Sequence, residues 1–231
     1  MYAVMTLYAP QSTVWREVYA PYGETREVRL SDGSCITINS GSRLIYPASF
    51  VEAERRVYLS GEAYADIAKD AGRRFVLSAN DVDILVHGTQ FNVRSYDGDS
   101  EVAVSLYEGS IDMRTKNLEH NRTVAMRSGD VVKLDKRSGV VSEVHLPGVS
   151  SKNSDNRNLI FLDSRLSDIA AQLERTFRIR IVIDDPQLAD ERYYSAFING
   201  ESLEQIMAAL RLNGNMRCRK VDGTLHLYRK M

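Results

Sequence analysis

The chain is poor in cysteine, proline and net charge, and it has no long apolar run. Its two cysteines, Cys35 and Cys218, lie far apart and match neither a CxxC motif nor zinc-ligand spacing, so two free thiols are the favoured reading, with a Cys35–Cys218 disulfide as the alternative. Five prolines and 14 glycines in 231 residues exclude a collagen-like or low-complexity chain. Thirty Lys and Arg stand against 31 Asp and Glu, a net charge of -1 with His neutral. That balance argues against the basic footprint of a nucleic-acid binder. No stretch approaches the ~18 to 20 apolar residues of a membrane span. Met1 to Pro10 is apolar but too short, and it lacks the charged start of a signal peptide. Hydrophobic residues make up 43%, which is too many for a disordered chain and enough for one large or two small domains.

What is present has two textures. From Trp15 to about Leu146 short alternating segments are separated by Gly, Asp, Asn and Ser turns. Val28 and Leu30, then Cys35, Ile36 and Ile38, flank Ser31-Asp32-Gly33-Ser34 as a hairpin. Leu44 and Tyr46, Arg56 to Leu59, Ala63 to Ile67, Phe75 to Leu77, Val82 to Val86 and Phe91 to Val93 follow. Val102 to Tyr107, Val124 to Met126, Val131 to Leu134 and Val140 to Val144 complete the series. The pattern predicts an all-β sandwich or solenoid-like domain over 15–147.

A polar linker over 148–158 leads to a different texture over 159–231. Leu159 to Leu162 reads as a strand, and Leu166, Ile169, Ala170, Leu173 and Phe177 share one helix face, with Asp163 or Ser164 as the cap. Ile179, Ile181 and Ile183 alternate, and Tyr193 to Ile198 is another strand. Ser202-Leu203-Glu204-Gln205 is a capping box, and Asp222-Gly223 joins a final hairpin. The order β-α-β-β-α-β-β defines a small α+β domain, so the whole chain is mainly β plus α+β. Its net charge from residue 151 on is +2, against -3 for the first 150 residues.

The chain offers little chemistry. His87, His120, His145 and His226 fit no metal spacing, and no phosphate loop, GxSxG elbow or CxxC occurs. No cofactor, metal or catalytic set is indicated, and the reading is non-enzymatic. Asp97-Gly98-Asp99-Ser100-Glu101 has oxygens at alternate positions but reads as a solvated hairpin turn. Arg55-Arg56 reads as a solvated edge, and Asn121-Arg122-Thr123 fits a glycosylation sequon.

Several segments carry a family resemblance. Gly23 to Ser34, with Val28, Leu30, Asp32 and Gly33, and then Ile38-Asn39-Ser40-Gly41-Ser42-Arg43-Leu44-Ile45-Tyr46-Pro47, resemble the opening of the FecR family. Arg56-Val57-Tyr58-Leu59-Ser60-Gly61-Glu62-Ala63-Tyr64, Phe75-Val76-Leu77, Gly88-Thr89-Gln90-Phe91-Asn92-Val93 and Glu108-Gly109-Ser110-Ile111 follow in the family's order. Arg74 stands where the family usually has Pro, and His87 where it has an apolar residue. Leu159 to Phe161, Leu166 to Arg175 and Ser202 to Ile206 resemble the small domain that follows in Bacteroidetes-type members, which is similar to the short N-terminal domain of secretins and TonB-dependent receptors. The family's usual linker Trp is missing; the only Trp is Trp15.

The resemblance implies the periplasmic, signal-receiving region of a single-pass inner-membrane anti-sigma regulator. Residues 1–14 would be a tail after a membrane helix that is not in the sequence, and an absent cytoplasmic segment would hold an extracytoplasmic-function sigma factor. The implied periplasmic partner is the signalling domain of an outer-membrane TonB-dependent transducer serving nutrient uptake, such as iron-siderophore or glycan. A strand added to the edge of the small domain is the expected contact, with Tyr193, Tyr194, Phe197, Leu225, Leu227 and Tyr228 as candidate positions. The alternative is a secreted or cell-envelope glycan- or cell-wall-binding module without enzymatic activity, which would need an exposed aromatic platform.

Overall fold

A computed structural model describes residues 13–116, 122–146, 159–197 and 200–229. Most of the 1–14 tail, the 148–158 linker and Asn121 of the sequon lie outside the described residues.

The N-terminal part forms one sheet of 13 strands that curls over a single core. The strands are β1 (Trp15–Tyr19), β2 (Arg26–Arg29), β3 (Cys35–Ile38), β4 (Arg43–Pro47), β5 (Arg55–Asp66), β6 (Phe75–Ala79) and β7 (Val82–Val86). Then come β8 (Gln90–Ser95), β9 (Glu101–Glu108), β10 (Ser110–Thr115), β11 (Thr123–Arg127), β12 (Asp130–Asp135) and β13 (Val141–His145). The long β5 organises them. Its first half lies between β4 and the parallel β6, and its second half between β3 and β8. Inward residues such as Val57, Leu59, Ala63 and Ala65 alternate along it, and they meet Ile36, Leu77, Phe91 and Val104 in the core.

The segments Arg56 to Leu59 and Ala63 to Ile67, read as separate from the sequence, are thus one strand. Gly61 explains the join: at φ 115° it turns the chain between the two halves of the sheet without ending the hydrogen bonding. A Cβ at Gly61 would lie 2.7 Å from Ser42 Cα. Gly61→Ala is therefore expected to destabilise the protein by about 2 kcal/mol or more. Urea unfolding of the variant, with a loss below about 0.5 kcal/mol, would show that this bend is relaxed.

The C-terminal part holds the expected order. It comprises β14 (Leu159–Arg165), α1 (Leu166–Phe177), β15 (Arg180–Ile183), the short α2 (Pro186–Ala189), β16 (Arg192–Phe197), α3 (Leu203–Asn213), β17 (Met216–Val221) and β18 (Thr224–Arg229). β14 pairs with β16, and β15, β18 and β17 form a second sheet in that order. The helices cover one side: Ile169, Leu173, Ile206 and Leu210 pack with Leu225 and Leu227 in a core that shares no residue with the first. The capping box at Ser202 and Gln205 is formed, and Asp222 and Gly223 make the β17–β18 turn with φ 47° and 81°. The cap of α1 differs from expectation. Arg165 is its N-cap and makes no side-chain bond to the helix, since a guanidinium has no acceptor to offer a first-turn N–H, and the Ser164 hydroxyl bonds Glu101 instead.

Candidate functional site

Of the six candidate contact residues, four point inward. Tyr193, Phe197, Leu225 and Leu227 belong to the small domain's core. Burial and the neighbouring Glu191 carboxylate push the Tyr193 phenol up to about 12. Tyr194 is 69% exposed, and Tyr228 is half-buried on the sheet's outer face with the Arg219 guanidinium 5.5 Å from its ring centre. A contact by main-chain pairing depends on strand edges rather than on these side chains, and the edges differ. The 224–228 strand is not an edge: β18 is paired with β15 on one side and β17 on the other. The edge of β15 is blocked, because the Ile181 N–H donates to the Glu174 carboxylate at 2.7 Å. Among the described residues β14, β16 and β17 each have a single partner strand, but β14 is held against the large sheet through Ser164, which bonds Glu101 and Lys133, so β16 and β17 remain. Those two are the edges open to a further strand.

The other functional feature is the junction between the domains. A row of residues crosses the outer face of the large sheet: Glu62, Arg94, Ala103 and Lys133 lie opposite one another on β5, β8, β9 and β12. By alternation these positions would face solvent, but α1 and β14 cover them. Glu101 is the hub. It accepts from Arg94 at 2.7 Å, Lys133 at 2.9 Å and the Ser164 hydroxyl at 3.2 Å. Arg94 also donates to the Gln172 side chain on α1. Asp168 accepts the Ser100 N–H at 3.1 Å and its hydroxyl. Arg175 pairs with Asp99 at 2.7 Å and lies 3.9 Å over the Tyr96 ring.

The solvated turn expected at 97–101 is therefore half wrong: Asp99 and Glu101 are buried by the second domain. The cluster balances three cations, Arg94, Lys133 and Arg175, against Asp99, Glu101 and Asp168. Such balance is required where water is excluded, since an unpaired buried charge is far costlier than a surface one. Burial opposes the Arg94 charge, but Glu101, Asp99, Glu62 and Asp168 outweigh it and hold its pKa above the usual arginine value. Burial dominates at Lys133 and pulls its ammonium down to about 8 in spite of Glu101. Burial also raises the Tyr96 phenol, which donates to the Ser40 carbonyl at 2.7 Å.

The Lys133 shift gives a signed prediction. A depressed lysine releases its proton more readily when folded than when unfolded. The unfolded chain therefore binds more protons between about pH 8 and the ordinary lysine value of 10.5, and stability should rise with pH across the lower part of that window. Above about pH 10 the raised tyrosines Tyr96 and Tyr193 act in the opposite direction. Lys133→Met should flatten the rise between pH 8 and 10. Urea unfolding series of both proteins showing equal slopes would contradict the assignment.

Sequence reasoning missed Arg55 and the whole junction. Arg55 is fully buried rather than on a solvated edge, and its alternation parity with Val57 and Leu59 was the available signal. Among the described residues no group of His, Cys, Asp and Glu could hold a metal ion. Trp15 and Tyr58 are exposed with ring centroids 5.7 Å apart, but their planes are tilted by 51°, so they form no single flat platform for a sugar. No described helix is long and apolar enough to cross a membrane.

Comparison with known proteins agrees with this architecture. A family model described as FecR protein matches residues 16–112, and one described as FecR, C-terminal, matches residues 158–227. Two crystal structures of a proposed anti-sigma factor from Parabacteroides distasonis ATCC 8503, at 1.65 Å and 2.50 Å, are 25% identical to the chain. Each covers 94% of it over their own full length, with TM-scores of 0.81 and 0.82. No curated protein matches the sequence.

Proposed function

Given that the chain belongs to the FecR family of anti-sigma regulators, we propose that it is the periplasmic region through which such a regulator receives its signal. The partner in this reading is the signalling domain of an outer-membrane TonB-dependent transducer. The output is a change in the hold of a cytoplasmic segment on an extracytoplasmic-function sigma factor. The role is regulatory and not enzymatic.

The observation that carries the reading is the pair of open edges, β16 and β17, on a small domain whose opposite flank is fixed to the large sheet. An added strand gains main-chain hydrogen bonds along such an edge. The polar junction then offers a route from the edge to the rest of the molecule, because α1 contributes to both the small core and the junction.

The test is a pull-down of the transducer signalling domain by the chain and by two proline variants, Ala196→Pro in β16 and Lys220→Pro in β17. Proline removes a ladder donor and is tolerated poorly within a paired strand. At least one variant that keeps the parent's circular dichroism should lose about tenfold or more in affinity. Equal binding by both would rule out strand addition.

A further inference from the structure

The outer face of the small domain's three-stranded sheet is basic, and its arginines are exposed. Register fixes which residues share it. Arg180 lies opposite Thr224, His226 opposite Val182 and Arg219, and Tyr228 opposite Arg217. The other face carries Ile181, Leu225, Leu227 and Met216 into the core beneath the helices. Arg180, Arg217 and Arg219 are exposed on the outer face. Among the described residues Asp184 is the carboxylate that pairs with this face, at 2.9 Å from His226 Nδ1 and 3.7 Å from Arg219. Arg180 and Arg217 have no ion-pair partner among the described residues. On the open edge itself, β17 presents Arg217, Arg219 and, on its other face, Lys220 within six residues.

Such an arrangement selects both an edge and the chemistry of its occupant. We propose that β17, rather than β16, is the docking edge, and that it takes an acidic β-strand of the transducer signalling domain with carboxylates at alternate positions. A strand laid beside β17 puts its own outward side chains directly opposite Arg217 and Arg219, about 4.5–5.5 Å away between Cβ atoms. Alternate spacing is required because successive residues point to opposite faces. The two arginines sit two apart on the same face, and each offers a forked donor that suits a carboxylate. β16 lacks this character: its exposed positions are Arg192, Tyr194 and Ala196, and Arg192 is already paired with Asp163 at 3.0 Å. Basic residues on an edge also discourage edge-to-edge association, so the experiment separates guarding from recognition.

The proposal rests on the reading that a partner strand adds to the small domain. The whole chain is titrated with purified transducer signalling domain at low and at physiological salt. Three double variants are compared: Arg217→Glu with Arg219→Glu, Arg217→Lys with Arg219→Lys, and Arg217→Gln with Arg219→Gln. Charge reversal is expected to weaken binding by about tenfold or more and to flatten its salt dependence, whereas the lysine pair stays within about threefold. Parental affinity in the reversed variant overturns the proposal. In that case loss of binding in Ala196→Pro would leave strand addition standing, at β16. Parental binding by the glutamine pair together with self-association would show that the arginines only guard the edge, which also overturns it. If the unaltered chain does not bind the signalling domain, the functional reading falls and this proposal falls with it.

Discussion

Arg55→Met is expected to lower the stability of the protein by about 3–5 kcal/mol, the cost of stranding one partner of a buried ion pair. The Arg55 side chain is 0% exposed and that of its partner Asp32 is 4% exposed, with 2.7 Å between them. The same guanidinium donates to the Ala68 carbonyl at 3.0 Å and, through Nε and the second terminal nitrogen, to the Arg73 carbonyl at 3.2 and 3.0 Å. It also lies 5.4 Å from the Phe75 ring centre. One side chain thus ties the β2–β3 hairpin, the start of β5 and the segment before β6 into a single corner. Methionine restores apolar volume but leaves the Asp32 charge and the carbonyls short of donors. The loss should shrink when Asp32→Asn is added, since the two changes remove the same interaction. A urea midpoint within about 1 kcal/mol of the parent would show that water replaces the guanidinium at little cost.

Glu101→Gln is expected to cost about 3 kcal/mol at pH 7 and to loosen the small domain before the large one unfolds. The substitution leaves Arg94 and Lys133 as neighbouring buried cations with their shared carboxylate gone. Burial already pulls Lys133 down to about 8 in the parent, and loss of the Glu101 carboxylate, which opposes that pull, lowers it further, so the amine sheds its proton more readily as pH rises. The penalty should therefore be smaller at pH 9 than at pH 7, as the neutral amine no longer repels Arg94. Undocking frees the junction while each core stays intact, since the two cores share no residue. Hydrogen exchange should show faster amides at 164–175 than in β5. A single cooperative transition with no pH dependence of the loss would contradict the hub role of Glu101.

These two residues also show where the sequence is legible and where it is not. Strand alternation and turn residues give the all-β part, and helical spacing gives α1 and α3. β10 passed unread although Ile111 and Met113 alternate with charged neighbours and are buried. Arg55 was readable in principle, because its position along β5 is of the inward class. The junction was not. Glu101, Lys133 and Arg94 occupy outward positions on their strands, which alternation assigns to solvent. They are buried by α1 and β14, which lie some 30 to 80 residues further along the chain, and no local pattern reports a cover from so far away. The same limit applies to the candidate contact residues. Residue type marked the strands, but only pairing shows that β18 is internal and β17 open.

Hydrogen–deuterium exchange of the chain, alone and with the transducer signalling domain, is the deciding measurement for strand addition. A complex should form in which amides of the small domain's open edges slow markedly, with the 216–221 strand foremost. The absence of a complex, or protection confined to the 13-stranded sheet, would contradict strand addition.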